Sequence, residues 1–501
     1  MPTDPVDLLV VGGGINGAGI ARDAAGRGLS VVLCEKDDLA QGTSSRSGKL
    51  IHGGLRYLEY CEFRLVREAL IEREVLLRAA PHIIWPLRFV LPHSRAQRPA
   101  WMISLGLLLY DHLGGRKLLP KSRRLDLTRE TSGKALKPEF SAGFEYPDCW
   151  VDDARLVVLN ALDAAARGAR ILTRTALISA RRDNGVWRAE LRNKAGAVIK
   201  VSARAIVNAA GPWVERVIRQ NAGLNSGHRV RLVKGSHIVV PKFWEGPQAY
   251  LFQNDDRRVI FVNPYQGDLC LIGTTDIPYN GEPDGVVASE EEISYLLRAV
   301  NRFCVRQLDR VDVVHSFAGV RPLFDDHAED PSAVTRDYAF ELNDADGVLP
   351  MLSVFGGKIT TFRRLSEQAL EKLKPYFRNM PGTWTAGAAL PGGDIAAADF
   401  DVFAAGLRRD YPALPADTLD HYARLYGTRA YQLLDGARMP DDLGRHFGGA
   451  LYQREAEFLR KKEWASTADD ILERRTKHGL RLAAEQKQAF TDWMFKMAKS
   501  A

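Results

Sequence analysis

A glycine-rich turn near the first residues limits the folds that this chain can adopt. An apolar run, Val6 to Val11, precedes Gly12, Gly14 and Gly17, which have the G-x-G-x-x-G spacing, and an alanine-rich segment follows. This order predicts a strand, a tight turn and a helix. The first glycine permits the bend, the second lets a pyrophosphate approach the backbone, and the third lets the helix pack against the strand. We therefore expect a Rossmann-like unit that binds a dinucleotide.

A second apolar run ends in a carboxylate and supports this interpretation. The run from Ser30 to Cys34 is followed by Glu35, near the ~20-residue distance at which a ribose-binding acid is expected. Glu35 is predicted to accept hydrogen bonds from the adenosine ribose, while the helix N-terminus faces the phosphates. The pattern predicts an adenine dinucleotide but does not distinguish NAD from FAD.

Three further segments offer contacts for this cofactor. The loop from Gln41 to Lys49 is rich in hydroxyl groups and glycine, which suits wrapping around a phosphate chain. The run from Ala205 to Trp213 ends in small residues, although an ordinary buried strand and turn explains it equally well. The run from Met351 to Arg363 repeats the order strand, paired glycines and helix, and its helix dipole would stabilise negative charge on a reduced flavin. The predicted contacts in these segments are Thr43, Ser44, Ser45, Ala210, Gly211, Gly356, Gly357, Lys358 and Thr360.

Several of these segments carry a resemblance to a known family. Residues Val11 to Gly28 and Gly356 to Ser366 resemble the two signature segments of the FAD-dependent glycerol-3-phosphate dehydrogenases. The segments His52 to Tyr57, Gly319 to Leu323 and Thr467 to Lys477 are similar to that family as well, so that the resemblance extends over essentially the whole chain. Two positions depart from it, because Phe362 stands where tyrosine is usual and Ser366 where alanine is usual.

The resemblance implies a fold, a cofactor and a reaction. The implied fold is α/β, α+β overall, within the wider group of flavoproteins similar to D-amino-acid oxidase, and the implied cofactor is FAD. The reaction would oxidise sn-glycerol 3-phosphate to dihydroxyacetone phosphate by hydride transfer from C2 to flavin N5. The electrons would pass to a membrane quinone, either ubiquinone or menaquinone.

The substrate's phosphate requires cationic donors. Arg321 and Arg336 are the predicted partners, because guanidinium groups pair with phosphate oxygens in a bidentate manner. Arg56 is a third cation. For any single arginine a solvated surface charge is the alternative interpretation.

The chemical step requires a proton acceptor and polar groups beside the ring. His52 is the hypothesised base for the C2 hydroxyl, with a water molecule or Arg321 as alternatives. Lys358 would lie beside the flavin, and an ordinary lysine at the start of a helix is the alternative interpretation. Tyr57 and Thr274 are predicted to contact the substrate, and ordinary turn chemistry is the alternative for Thr274.

The order of these segments predicts three structural parts. A discontinuous Rossmann-like FAD-binding domain would comprise residues 1–90, 150–230 and 315–378. An inserted antiparallel sheet that binds substrate would comprise 91–149 and 231–314, and a helical domain would comprise 388–501. Two adjacent apolar runs, Arg258 to Val262 and Leu269 to Ile272, predict an antiparallel pair in the inserted part.

Charge and hydropathy bear on location. The net charge is +7, which favours an anionic partner, and the five cysteines form no C-x-x-C pair, which is typical of a reducing compartment. The first residues lack the basic segment of an export signal. The apolar run from Ala100 to Tyr110 is shorter than a bilayer span. Basic residues follow it, which suits either docking on an anionic leaflet or a solvated loop; they are Arg116, Lys117, Lys121, Arg123 and Arg124.

From this we expect a cytoplasmic protein attached peripherally to the cytoplasmic face of the inner membrane, with a homodimer as one possible assembly.

The sequence is compatible with three alternative functions: a glycerol-3-phosphate oxidase that uses O₂, a flavoprotein that binds or modifies RNA, and a flavin-binding protein without catalysis. The basic runs lack interleaved aromatic residues, so no nucleic-acid partner is predicted. The spacing of potential ligands predicts no metal site.

Overall fold

In the part of the chain that the structure describes, the strands form two large sheets and one short hairpin. The computed structural model describes residues 4–94, 98–115, 118–254, 256, 258–325 and 337–499. Within these ranges the strands are β1 Val6–Val11, β2 Val31–Cys34, β3 Leu50–Ile51, β4 Ile84–His93, β5 Arg123–Asp126, β6 Ala142–Val151, β7 Arg170–Leu172, β8 Thr175–Asp183, β9 Val186–Asn193, β10 Val198–Asn208, β11 Val230–Pro241, β12 Ala249–Gln253, β13 Val259–Tyr265, β14 Leu269–Gly273, β15 Ile277–Pro278, β16 His315–Phe324, β17 Tyr338–Ala345, β18 Val348–Gly356, β19 His446–Gly448 and β20 Leu451–Tyr452.

The helices cover the sheets and build the C-terminal part. They are α1 Ile15–Gly26, α2 Phe63–Ala79, α3 Ala100–Leu113, α4 Asp153–Ala166, α5 Val214–Arg216, α6 Glu290–Phe303, α7 Phe362–Leu373, α8 Phe400–Asp410, α9 Ala416–Tyr426, α10 Ala430–Leu433, α11 Gln453–Lys462 and α12 Ala484–Lys499. Within the described ranges, no helix combines the length and the apolar character that a bilayer crossing needs.

The first sheet is mostly parallel and carries the glycine turn. Its strands follow the order β17-β18-β10-β1-β2-β7, with β8 and β9 attached through β10. The pairs of β1 with β2 and with β10 are parallel, and so is the pair of β10 with β18. Helices α1, α4 and α7 pack together on one face, where their apolar side chains form a buried cluster with the strands. The predicted Rossmann-like α/β organisation is therefore confirmed.

The second sheet is mostly antiparallel and lies beside the first. Its strands follow the order β15-β11-β14-β13-β12-β4-β6-β3, with β16 paired to β11 and β5 paired to β6. The predicted antiparallel pair in the inserted part is present as β13 and β14. Strand β16, which the sequence boundaries assign to the FAD-binding part, pairs with β11 along its whole length in this second sheet. The sequence of β16 carries no mark of its partner, because pairing between distant strands is decided by tertiary structure.

The chain after residue 388 forms a separate helical layer, as predicted. Helices α8, α9, α10, α11 and α12 bury their apolar faces against one another around side chains such as Leu407, Tyr422 and Leu459. Ion pairs hold this layer against the first sheet, and the guanidinium of Arg475 donates to Asp38 at 2.7 Å. Both side chains are fully buried, so this contact fixes the segment before α12 next to the start of the chain.

Candidate active site

The glycine turn leaves no room for side chains. Gly12 has a φ of +113°, and a Cβ there would lie 2.5 Å from the Ala209 carbonyl oxygen. A Cβ at Gly17 would lie 1.9 Å from the carbonyl oxygen of Gly12. Helix α1 begins after Gly14, which offers no side chain as a cap. The end of β1, the end of β10 and the start of α1 therefore meet closely enough for a phosphate group to reach backbone amides.

Glu35 lies at the end of β2 beside this turn. Its carboxylate accepts hydrogen bonds from the Gly13 amide at 2.6 Å and from the Asp37 amide at 2.8 Å. Burial raises the pKa of the Glu35 carboxyl group, and the two backbone hydrogen bonds act in the opposite direction. Each carboxylate oxygen can accept a further hydrogen bond, so this geometry is compatible with a ribose contact, which stays a prediction.

The hydroxyl-rich loop lies directly over the start of α1. Ser44 Oγ accepts a hydrogen bond from the Ile15 amide at 3.0 Å, and Thr43 Oγ1 donates to the Val320 carbonyl at 2.6 Å. Farther along the loop, Lys49 Nζ lies 2.9 Å from the Asp153 carboxylate and 3.1 Å from the Ser45 carbonyl oxygen. The Lys49–Asp153 pair is almost completely buried, so it anchors the loop to the start of α4. Nothing in the local sequence marks this pair, because Lys49 and Asp153 are far apart in the chain.

The paired glycines after β18 approach the same helix start. Asn16 Nδ2 donates to the Gly356 carbonyl at 3.2 Å, and a Cβ at Gly357 would lie 2.8 Å from that nitrogen. Asn16 Oδ1 is buried and has no hydrogen-bond partner among the described residues. The cleft therefore combines a backbone cradle closed to side chains with an unused acceptor, and the residues present fit an adenine dinucleotide.

Other predicted cofactor contacts follow the ends of β10 and β18. Gly211 has a φ of +56° and follows Ala210, whose amide donates to Asn208 Oδ1 at 3.3 Å. Thr360 Oγ1 accepts a hydrogen bond from the His52 amide at 3.3 Å. The hydroxyl of Thr360 thus connects the segment after β18 with the segment after β3.

The Arg321 side chain extends from β16 toward Gly235 of the neighbouring strand β11. Its Nη2 donates to Thr274 Oγ1 at 2.8 Å, and its Nη1 is paired with the Asp276 carboxylate. A Cβ at Gly235 on β11 would lie 2.4 Å from Nη2, so this glycine makes room for the guanidinium group. The structure thus brings two predicted substrate residues, Arg321 and Thr274, into direct contact. A bound phosphate would share the guanidinium with Asp276, a residue that sequence analysis did not select.

A second group of predicted residues follows β3. Lys358 Nζ lies 4.0 Å from the centroid of the Tyr57 ring, and a Cβ at Gly54 would collide with that ring at 2.3 Å. The His52 ring contacts Phe261 of β13 at a centroid distance of 6.0 Å. Arg56 lies in the same short 3-10 segment as Tyr57 and is partly exposed. The remaining predicted contact, Arg336, lies outside the described residues.

His237 is a buried imidazole that sequence analysis missed. It lies on β11, and its ring stacks on Phe317 of β16 at 4.9 Å. A Cβ at Gly273, just before Thr274, would lie 2.0 Å from the His237 ring. Burial lowers the pKa of His237 to about 3, and the nearby Arg321 acts in the same direction, so the ring is neutral near pH 7. The same strand also carries Arg231, Lys234 and Ser236, so no apolar pattern marks this histidine in the sequence.

This fold and this cleft define a class of protein, and comparison with known proteins identifies the family. The chain belongs to the family described as FAD dependent oxidoreductase, whose model matches residues 7–363. The model for the C-terminal domain of alpha-glycerophosphate oxidase matches residues 383–500. The cofactor of this enzyme is therefore FAD, as the resemblance implied.

Relatives of nearly the same length narrow the class further. The chain is 62% identical to a D-erythritol 1-phosphate dehydrogenase of Brucella abortus, over 97% of each chain. It is 52% identical to the aerobic glycerol-3-phosphate dehydrogenase of Escherichia coli, again over 97% of each. Its structure is similar to that of a glycerol-3-phosphate dehydrogenase from Bacillus halodurans complexed with FAD, with a TM-score of 0.80, 28% identity, and coverage of 100% of this chain and 92% of the other. The resemblance to the FAD-dependent glycerol-3-phosphate dehydrogenases is confirmed.

Proposed function

We propose that this enzyme oxidises the secondary alcohol of a small polyol phosphate, with sn-glycerol 3-phosphate as the first candidate and dihydroxyacetone phosphate as its product. The observation that carries this proposal is the full-length similarity to dehydrogenases of such phosphates. The placement of Arg321 against Thr274 supports it, because a guanidinium held at a sheet surface is suited to bind a phosphate dianion.

Each predicted substrate residue has a separate role in this proposal. Arg321 binds the phosphate, with Thr274 orienting the guanidinium, and Arg336 and Arg56 add positive charge. His52 accepts the hydroxyl proton, while Lys358 and Tyr57 hold the substrate's polar end. Bound FAD supplies the hydride acceptor. His237 is a poor base near pH 7, since its lowered pKa leaves little affinity for a proton.

D-erythritol 1-phosphate is the second candidate substrate. The relative that acts on it has a higher identity to this chain, 62%, than the Escherichia coli glycerol-3-phosphate dehydrogenase, 52%. Both phosphates offer a secondary alcohol and a dianion, so the same cationic set would serve either. They differ in the length of the polyol, which a pocket discriminates through contacts to the additional hydroxyl group.

Anaerobic flavin reduction tests both candidates. Purified enzyme is mixed with each phosphate in a stopped-flow instrument, and bleaching of the flavin band is followed. A second-order rate constant for flavin reduction that is at least about tenfold higher with one phosphate identifies the preferred substrate, since one extra contact changes specificity by about that factor. A flavin that stays oxidised with both phosphates would refute the proposal and would leave a non-catalytic flavin-binding protein.

We propose further that the electrons pass to a membrane quinone and that α3 makes the membrane contact. Apolar side chains of α3 are exposed, with Trp101 at 66%, Leu105 at 50% and Leu108 at 55%. Their spacing places them on one helical face. The exposed cations Lys121 and Arg124 follow this helix, which suits an anionic leaflet, while Arg116 and Lys117 lie outside the described residues. Attachment would be peripheral, on the cytoplasmic face of the inner membrane.

The acceptor is tested by product analysis. Turnover in air with a soluble quinone analogue should reduce the quinone without forming an equivalent amount of hydrogen peroxide. Stoichiometric peroxide, with no preference for the quinone, would instead show an oxidase. An O₂ acceptor in place of the quinone would not alter the proposed substrate, because anaerobic flavin reduction measures substrate oxidation alone.

A further inference from the structure

Three side chains that are far apart in the sequence lie close together in the C-terminal helical layer. His421 belongs to α9, Glu455 belongs to α11, and His478 begins a 3-10 turn before α12. One nitrogen of each histidine and one oxygen of the glutamate all lie within 4.8 Å of one another. This cluster plays no part in the cofactor cleft or the substrate site described above.

The cluster is tight and largely closed to solvent. His421 Nε2 lies 2.8 Å from Glu455 Oε1, and His478 Nε2 lies 3.5 Å from Glu455 Oε2. The two imidazole rings are 4.4 Å apart between centroids. The Glu455 side chain is fully buried, that of His478 is 8% exposed and that of His421 is 16% exposed. Two nitrogen ligands and one carboxylate therefore face a common point.

Two of the potential ligand atoms, Glu455 Oε2 and His478 Nε2, lie 3.5 Å from each other but make no hydrogen bond with other described residues. Both atoms are buried. Buried polar atoms are rarely left without a partner, because the cost is a few kcal/mol. The Tyr426 hydroxyl donates to Glu455 Oε1 at 2.7 Å, which fixes the orientation of the carboxylate. Hydrogen bonds of this kind commonly orient the ligands of a metal ion.

We propose that His421, Glu455 and His478 bind a divalent transition-metal ion, with Zn²⁺ as the first choice. Two imidazole nitrogens and one carboxylate, with an open fourth position for water, are a donor set that Zn²⁺ accepts, whereas Mg²⁺ and Ca²⁺ prefer oxygen ligands. Bonds of about 2.0–2.2 Å separate tetrahedral ligand atoms by about 3.4 Å. The 3.5 Å between His478 Nε2 and Glu455 Oε2 already matches this separation, whereas the 2.8 Å between His421 Nε2 and Glu455 Oε1 would have to lengthen by about 0.6 Å.

The position of the ion gives it a structural role. His478 directly follows Lys477, and the segment Asp470–Arg475 lies just before them. Lys477 pairs with Asp152 in the FAD-binding part. Arg475 in the same segment pairs with Asp38. An ion bound by His478 would connect α9 and α11 to the segment that holds the helical layer on the first sheet. It would stabilise the folded chain without taking part in the oxidation.

Metal titration of the FAD-loaded, full-length enzyme tests this. The protein is treated with EDTA, dialysed, and titrated with Zn²⁺ by calorimetry, while bound metal is counted by mass spectrometry. We expect one tightly bound Zn²⁺ per chain and a melting temperature that rises with free Zn²⁺. The variants Glu455→Gln and His421→Gln should each bind Zn²⁺ at least about tenfold more weakly, since loss of even an orienting group costs that much. The control His446→Ala, an exposed histidine of the same layer, should bind as the parent does.

Two outcomes would overturn the proposal. One is a parent enzyme that binds less than one Zn²⁺ per chain tightly, and the other is a His421→Gln variant that binds as the parent does. His421 is at the rim of the cluster, so this variant should fold even if Glu455→Gln does not, and circular dichroism with flavin content checks both. Co²⁺ substitution adds an optical test, because visible bands of four- or five-coordinate Co²⁺ should appear in the parent and be lost in His421→Gln.

Discussion

The guanidinium group of Arg155 donates to the carboxylate of Glu463, and both side chains are completely buried. Arg155 belongs to α4, which covers the first sheet, whereas Glu463 directly follows α11 of the helical layer. Arg429 donates to the same carboxylate at 2.6 Å. One buried carboxylate with two guanidinium partners thus connects the two parts of the enzyme.

The first prediction concerns the stability of this junction. Glu463→Gln should lower the free energy of unfolding by about 3–5 kcal/mol, because removing one partner leaves a buried charge uncompensated. Urea denaturation followed by tryptophan fluorescence measures the change. Glu485→Gln, on the exposed face of α12, is the matched control and should change stability by less than about 0.5 kcal/mol.

The second prediction concerns the pH dependence of the same contribution. Burial by itself would raise the pKa of Glu463, but Arg155 and Arg429 outweigh it and lower this pKa to about 2, from an ordinary value of 4.5. A lowered folded-state pKa means that the stabilisation is complete above pH 4.5 and is lost as pH falls toward 2. The difference in unfolding free energy between the parent and Glu463→Gln should therefore narrow as pH is lowered through this window. A difference that stays constant would contradict the assignment.

The third prediction concerns cofactor retention. Gly12→Ala should cause loss of FAD, because its Cβ would lie 2.5 Å from the Ala209 carbonyl oxygen at the base of the cleft. The ratio of flavin to protein absorbance in the purified protein measures retention. Gly28→Ala is the control, since Gly28 also has a positive φ, +82°, but no atom lies within 4 Å of its added Cβ. Equal flavin loss in both variants would show that backbone strain alone, rather than the collision, is responsible.

The fourth prediction concerns the phosphate anchor. Arg321→Ala should reduce kcat/KM by about 10²–10³-fold, since each hydrogen bond to a charged group contributes about 1.5–3 kcal/mol. Steady-state kinetics with a quinone analogue gives this ratio, and flavin content should be unchanged. Arg258→Ala, whose guanidinium pairs with Asp256 away from Thr274, is the control and should keep the parent kinetics. Parent-like kinetics in Arg321→Ala would remove Arg321 from the substrate site.

The fifth prediction concerns membrane contact. The double variant Leu105→Glu and Leu108→Glu should abolish flotation with vesicles containing anionic lipid, because it places charge on the exposed apolar face of α3. Flavin content and anaerobic reduction by substrate should not change. Val402→Glu on α8, also an exposed apolar position, is the control and should float as the parent does. Unchanged flotation of the double variant would place the membrane contact elsewhere.

Local patterns in the sequence were enough to predict the cofactor turn and to identify the class of enzyme. Gly12, Gly17 and Glu35 were recognisable because their roles depend on local spacing along a strand, a turn and a helix. The family resemblance then identified FAD and pointed to segments around His52, Arg321 and Lys358. These features are either local in sequence or shared with known relatives, so neither requires knowledge of the tertiary contacts.

Contacts between residues far apart in the chain became visible in the folded structure alone. Asp276 beside Arg321, the buried His237, the pair of Arg155 with Glu463, and the placement of β16 in the second sheet have no signature in sequence spacing. The same holds for His421 and Glu455, which are 34 residues apart. The physical reason is that burial and partner choice depend on side chains brought together from separate elements, and the free energy of these contacts exists only once the chain has folded.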